Sequence, residues 1–354
     1  MIKKNIFKII LGIVVTVILI LGGYLLFMIA TDYKPESEIT IDVEDNQSKK
    51  VAIGEDVSIT TLNTGYAGTD KDIDFFMDGG TMSKAISKDR VHEDLNGMID
   101  EMKKLNSDIY FLQEVDKEST RSFNIDQYEA YKNNFKDYGI MFAINYKVPW
   151  VPVPISDPHG KVLAGLTTMS KYYIKESTRY DLPGKESFIR QLAELDRCIM
   201  VSRTPVENGK ELVLVNAHLS AYDKGGKVRL QQLDFIEDFL NEESSKGNYV
   251  VLGGDFNQQI PGTDYKNFET TQKKPAWLQD IPSDFNPNGF RWIADESIPT
   301  SRTMDIKYKK GENLLSIIDG FLVSDNIDVT SVKGTNLEFK YTDHNPVTIN
   351  FKLK

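Results

Sequence analysis

An uncharged apolar run from Ile9 to Ala30 sets the first constraint on this chain. Its 22 residues, at about 1.5 Å each, are long enough to cross a hydrocarbon core of about 30 Å. The run exceeds the apolar region of a secretory signal, Met28-Ile29-Ala30-Thr31 offers no pair of small residues for cleavage, and no cysteine follows to take a lipid. An uncleaved single-pass anchor in the cell membrane is the expectation. Lys3, Lys4 and Lys8 precede the span, whereas Lys34 follows it beside Asp32 and Glu36. The positive-inside rule then puts the N-terminus in the cytoplasm and the bulk of the chain outside the cell.

Residues 1–34 carry a net charge of +3, which leaves −13 on the remaining 320. That acidic body is wrong for a dedicated nucleic-acid binder, which needs a basic face, so nucleic acid is a disfavoured partner. Residues 35–56, with seven acids and two lysines and little apolar periodicity, read as a solvated stalk. Residues 57–354 contain no repeat and no second linker and read as one large domain. The single cysteine, Cys198, lies in the apolar run Cys198-Ile199-Met200-Val201 and reads as a small buried hydrophobe. With no disulfide available, stability rests on the core or on a metal.

Short apolar runs supply strands at Val57–Leu62, Ile109–Leu112, Leu212–Val215, Val250–Leu252, Ile317–Val323 and Val347–Phe351. Val91, Leu95, Met98, Ile99, Met102 and Leu105 share one helical face, and Leu233, Ile236, Phe239 and Leu240 share another after Gly225-Gly226. The class is α/β (α+β) with substantial sheet. Polar residues cap these strands repeatedly: Asn63, Gln113-Glu114, Asn216-Ala217-His218, Gly253-Gly254-Asp255-Phe256-Asn257, Asp319-Gly320 and Asp343-His344-Asn345. Taken singly, Asp255 and Asp319-Gly320 are turn formers and Asn63 before Gly65 suits a tight turn. Their recurrence at strand ends points to one shared site.

In this order, Asn63, Gln113-Glu114, His218, Gly254-Asp255-Phe256-Asn257, Ile318-Asp319 and Thr342-Asp343-His344-Asn345-Pro346 resemble the blocks of the endonuclease/exonuclease/phosphatase superfamily, the metal-dependent hydrolases of the deoxyribonuclease I type. The resemblance runs from about Val57 to the C-terminus. It implies a four-layered αββα sandwich and hydrolysis of phosphoric esters with Mg²⁺ or Mn²⁺. It also implies that Glu114, Asn63 and Asp343 are hard oxygen ligands for the metal. Asp255 is then the residue that deprotonates the attacking water, and Asn257 holds water and phosphate in line. His218 and His344 grip the phosphoryl oxygens, with Asp319 bracing the second imidazole. The implied reaction is direct in-line attack without a covalent enzyme intermediate.

Substrate contacts are expected from Arg121, Asn124 and Tyr222, although Arg121 and Asn124 read equally well as solvated loop residues. His92 and His159 are expected to be structural or at the surface. Asp74–Gly80, Arg121-Ser122, Asn145–Pro149 and Arg179–Pro183 resemble segments of membrane-anchored bacterial members of the superfamily. The stretch Tyr146–Pro154, with Trp150, reads either as a lipid-facing loop or as a packed connection. A phosphodiesterase acting on phospholipid headgroups, as in the related sphingomyelinases, or on small phosphate esters fits best, with no obligate protein partner. The alternatives are an exported nuclease with the same site and a non-catalytic binding module on the same fold.

Overall fold

Strands apolar on both faces need cover on both sides, and a sandwich of two sheets between helices provides it. A computed structural model describes residues 2–354. Helix α1 (Ile2–Thr31) precedes the short strand β1 (Glu38–Thr40) and β2 (Val57–Asn63). Helix α2 (Lys88–Leu105) leads into β3 (Ile109–Asp116), and α3 (Gln127–Asn134) into the hairpin β4 (Gly139–Val151) and β5 (Gly160–Ser170). Next come β6 (Glu176–Asp181), the single-turn α4 (Phe188–Gln191), β7 (Cys198–Pro205) and β8 (Glu211–His218). Helix α5 (Lys227–Ser245) connects to β9 (Tyr249–Asp255), and β10 (Phe290–Ile293), β11 (Asp319–Ser324), β12 (Ile327–Gly334) and β13 (Val347–Leu353) complete the sheets.

The first sheet runs β1-β6-β7-β8-β9-β11-β10 and the second β12-β13-β2-β3-β5-β4. Each contains one parallel pair, β8 with β9 and β2 with β3, joined by α5 and α2 respectively. Residues of alternate parity divide between the layers. Ile109, Phe111, Leu212, Leu214, Val251 and Phe321 fill the space between the sheets. Tyr110 and Leu112 pack outward under α2, while Val213, Val215, Val250 and Leu252 pack outward under α5. This is the expected αββα sandwich. The strand expected from Ile317 begins instead at Asp319, and the preceding Ile318 carbonyl accepts the Phe256 N–H at 2.9 Å.

Residues 35–56 are not the solvated stalk that their charge suggests. Strand β1 pairs antiparallel with β6 at a sheet edge. Glu44 exchanges backbone bonds with Ile140 on β4, and Asn46 bonds both backbone groups of Ile174. Val51 is buried in the inter-sheet core and Ile41 and Val43 pack against it. Backbone pairing at an edge needs no apolar periodicity, so composition carries no sign of it.

One polar bridge crosses the core. The Asn216 amide on β8 donates to the carbonyls of Thr167 (3.0 Å) and Leu112 (3.3 Å) and accepts the Gln113 amide at 2.8 Å. Every member is buried. Asn216→Ala is expected to cost about 1–3 kcal/mol by stranding these partners, read as a lower urea midpoint at unchanged slope.

Helix α2 also carries a destabilising group. Asp94 is buried beside Asp70, its Oδ2 has no hydrogen-bond partner, and Arg90 approaches its Oδ1 only at 3.5 Å. Burial, reinforced by Asp70, pushes its carboxyl up to about 9. The unfolded value is about 4, so the native state binds this proton more tightly and stability is lost as pH rises from about 4 toward 9. Asp94→Asn is therefore expected to be more stable than wild type by roughly 1–3 kcal/mol at pH 8, with no advantage at pH 4, as thermal melts at the two pH values will show.

Candidate active site

Both parallel pairs end at the same edge of the sandwich, and that edge carries the polar cluster. Asn63 closes β2, Glu114 lies near the end of β3, His218 closes β8 and Asp255 closes β9. Asp319 opens β11 directly across from Asp255 in the ladder, and Asp343 and His344 precede β13. Gly254 makes the close approach of β8 and β9 possible. Its φ is +147°, and a Cβ there would fall 1.9 Å from the Ala217 carbonyl oxygen.

Two positions hold strained backbone. Glu114 has φ +56° at the irregularity in the β3–β5 ladder between Leu112 and Val115. The bulge turns its side chain toward the cavity. Asn257 has φ +51°, its N–H donates to Asp255 Oδ1 at 2.8 Å, and its side-chain amide donates to the Leu219 carbonyl.

The Asn63 amide ties the two sheets together. Its Nδ2 donates to Asp255 Oδ2 at 2.9 Å and to Glu114 Oε1 at 3.2 Å. Its Oδ1 accepts the Gly65 N–H at 3.0 Å. The Asn63 oxygen, expected to help hold the metal, thus accepts one bond from the turn that follows β2, while the Nδ2 acts as a donor between two acids. His218 Nε2 lies 3.6 Å and His344 Nε2 3.8 Å from the same Asp255 Oδ2. His344 Nδ1 pairs with Asp319 Oδ2 at 2.8 Å.

The two imidazoles are driven to opposite charge states. Burial would lower His344, but the carboxylates of Asp319, Asp343 and Asp255 outweigh it and raise the group to about 10. His218 is held well below the ordinary range by burial and by the Arg197 charge. Burial, with Asp319 nearby, pushes Asp255 up to about 6, against the pull of His344 and the Asn63 bond. At neutral pH the cluster therefore presents a protonated His344, a neutral His218 and a carboxylate between them.

Several carboxylates of this cluster could hold a cation. The Glu114 carboxyl is raised by burial and by Asp343, opposed by Arg121. Arg121 satisfies it poorly, standing 3.6 Å away while bonding Asp116 at 2.9 Å. Asp343 accepts Thr69 Oγ1 at 2.6 Å, and its other oxygen lies 3.8 Å from His344. These two carboxylates are the hard oxygen donors a divalent metal takes. Ligand atoms of Asp255, Asp319 and His344 also lie within 4.8 Å of one another, close enough to hold an ion. There Asp319 Oδ2 is paired with His344, while Asp319 Oδ1 is buried with no hydrogen-bond partner.

The cluster forms the floor of a cavity of about 370 Å³. Arg121 and Tyr222 reach its wall and Asn124 does not; Asn124 is exposed in the turn after Arg121. Arg121 is not a solvated loop charge, being buried with its guanidinium 4.0 Å from the Tyr66 ring. Tyr222 donates to Asp78 Oδ1 at 2.8 Å. His92 is exposed, but His159, expected to be structural or at the surface, lines the cavity. Its ring packs near Tyr66, Phe75 and Phe76. Burial, helped by the Arg121 charge, lowers it to about 3 and keeps it neutral. Sequence reasoning missed Tyr66, Asp78, Arg197, Trp277 and Arg302 on the wall. Only Asp78 carried a signal, lying within Asp74–Gly80.

The profile described as the Endonuclease/Exonuclease/phosphatase family matches residues 77–344. The chain belongs to that family. No curated protein matches the sequence. Among solved structures, the endonuclease/exonuclease/phosphatase from Beutenbergia cavernae DSM 12333 is similar with a TM-score of 0.59 and 16% identity, covering 84% of this chain and 72% of that one. The protein of the same description from Bacteroides vulgatus gives 0.55 and 16% over 85% of this chain and 100% of that one. The human Nocturnin catalytic domain with bound sulfate gives 0.53 and 16% over 89% and 97%. These likenesses establish the fold, and family membership makes the chain a phosphoric-ester hydrolase of a metal-dependent kind.

Asp319 and His344 are expected to act as a unit. Asp319→Asn should lower kcat on bis(p-nitrophenyl) phosphate by about 10²-fold and His344→Ala by at least as much. The double variant should lose little more than the worse single one, a non-additivity that a double-mutant cycle will read.

Proposed function

We propose that this protein is a membrane-anchored, extracytoplasmic phosphodiesterase that uses Mg²⁺ or Mn²⁺ and cleaves by in-line attack of water. The observation that carries the reading is the seating of Asp255 between His218, His344 and Asn63, with Asp319 behind His344. The protonated His344 and the N–H of His218 donate to phosphoryl oxygens from two sides. Asp255 accepts the proton of the attacking water, fixed in direction by bonds from Asn63 and the Asn257 N–H. One new P–O bond forms from the water oxygen as the P–O bond to the leaving group breaks, and the departing oxygen takes a proton from solvent. Glu114 and Asp343 would hold the metal, which when bound neutralises charge gathering on the phosphoryl oxygens. Holding groups in place accounts for most catalysis of this chemistry.

Phe75, Phe76, Met77, Trp277 and Met304 give the cavity an apolar wall beside the charged floor. A second ester arm can rest there, which favours diesters over monoesters. Helix α1 contains the expected Ile9–Ala30 span and would serve as the anchor, with the N-terminal lysines cytoplasmic. The acidic body weighs against a nuclease using the same site.

The test uses the full-length protein in detergent with Mg²⁺, Mn²⁺ or EDTA against bis(p-nitrophenyl) phosphate, p-nitrophenyl phosphate and plasmid DNA. Metal-dependent turnover, faster on the diester, should fall by at least about 10²-fold in His218→Ala and Asp255→Asn. Salt-sensitive DNA cleavage as the dominant activity would favour the nuclease. Equal inactivity of wild type and variants on every substrate would sink the catalytic reading in favour of a binding module.

A further inference from the structure

Helix α1 and the segment just after it meet strand β4 at two places whose order fixes a direction. The Tyr24 hydroxyl donates to the Trp150 carbonyl at 2.9 Å, and the Lys147 ammonium sits 5.1 Å from the centre of the Tyr33 ring. Along α1 the chain leaves the apolar span from Tyr24 toward Tyr33, while along β4 it passes Lys147 before Trp150. The β4–β5 hairpin therefore points back down the helix. Trp150 lies at the level of Tyr24, seven residues before the helix end at Thr31, or about 10 Å along the axis at about 1.5 Å per residue.

The hairpin tip is apolar where it descends. Trp150 is 41% exposed, Val153 43% and Ile155 89%. On the segment whose Gly184, Glu186 and Arg190 also line the cavity, α4 exposes Phe188 (63%) and Ile189 (68%). Val151 and Val153 line one side of the same cavity whose floor holds His218, Asp255 and His344. All five side chains keep a large part of their surface exposed, and such exposed apolar groups mark an interaction surface. Apolar side chains of an interfacial element sink about 5–10 Å into the headgroup and acyl boundary, a distance comparable to that by which Trp150 lies back from the end of α1. Tryptophan favours that zone.

We propose that the β4–β5 tip and the Phe188-Ile189 turn form a rim that dips into the bilayer holding α1, so that the cavity opens onto the membrane surface and its substrate is a lipid phosphodiester. The lipid keeps its acyl chains in the bilayer and presents its headgroup phosphate to the floor of the cavity. The substrate class rests on the phosphodiesterase reading above; the docking of the rim does not.

The experiment uses full-length protein in phosphatidylcholine nanodiscs. Cys198 is buried, so a cysteine introduced by Ile155→Cys takes a bimane label alone, with Lys309→Cys as an exposed control. Bimane at 155 should be quenched several-fold more strongly by lipids carrying a shallow doxyl group than bimane at 309. Equal quenching at the two positions overturns the rim, as a protein partner for the same face would predict. In parallel, Ile155→Ser/Phe188→Ser/Ile189→Ser should reduce hydrolysis of headgroup-labelled phospholipid vesicles by about tenfold or more and leave bis(p-nitrophenyl) phosphate turnover within twofold. An unchanged ratio of the two rates overturns the rim's part in reaching lipid, and wild-type turnover on the soluble diester with none on the vesicles overturns the lipid substrate. Absence of turnover on the soluble diester by wild type would instead mark failure of the catalytic reading, with the quenching result still deciding the rim.

Discussion

The hydrogen bond from the Asn63 amide to Asp255 joins the ends of two parallel strand pairs that belong to different sheets. Everything chemical in the molecule depends on those ends being at the same edge. Each sheet has one strand–helix–strand unit, β2-α2-β3 and β8-α5-β9, and each delivers its carboxyl-terminal residues to the cleft. Face-to-face packing through Phe111, Val251 and Phe321 sets the separation of the sheets. The polar groups at the strand ends then meet, and only the loop before β13, which carries Asp343 and His344, reaches across to Asp319. Sites held on strand ends are positioned by the core itself, which is why the buried Asn216 bridge lies one step beneath the cluster.

The electrostatic pattern follows from that seating. Four acids and two imidazoles share a small buried volume, and only a cation or a shared proton keeps their repulsion tolerable. Asp319 and His344 resolve part of it by pairing. Glu114 and Asp343 are left under-compensated, which suits a divalent ion. The difference between the two histidines is set by neighbours: His344 faces three carboxylates, whereas His218 faces the half-buried Arg197.

Most of this was legible in the sequence because strand ends announce themselves. A run such as Leu212–Val215 followed by Asn216-Ala217-His218 gives both the element and the residue at its tip, and the ordered blocks pointed to the family. What stayed hidden was set by tertiary contact. Nothing local marks Glu114 as a residue at positive φ, since the bulge arises from pairing with β5. Arg197, Arg302 and Trp277 reach the cavity from segments with no motif, and His159 looked like a loop residue until its neighbours Tyr66 and Phe75 were in place. The acidic stretch 35–56 misled because charge composition describes solvation and says nothing of backbone pairing at a sheet edge.

That edge strand has a mechanical meaning. Between the end of α1 at Thr31 and the start of β1 at Glu38 there are only six residues, a reach of about 20 Å at full extension. Where α1 crosses a bilayer, the domain has no free leash on which to wander or turn over. Any substrate lying in that membrane would be met at its density per unit area, and soluble molecules would meet the domain at a fixed height and in a fixed attitude.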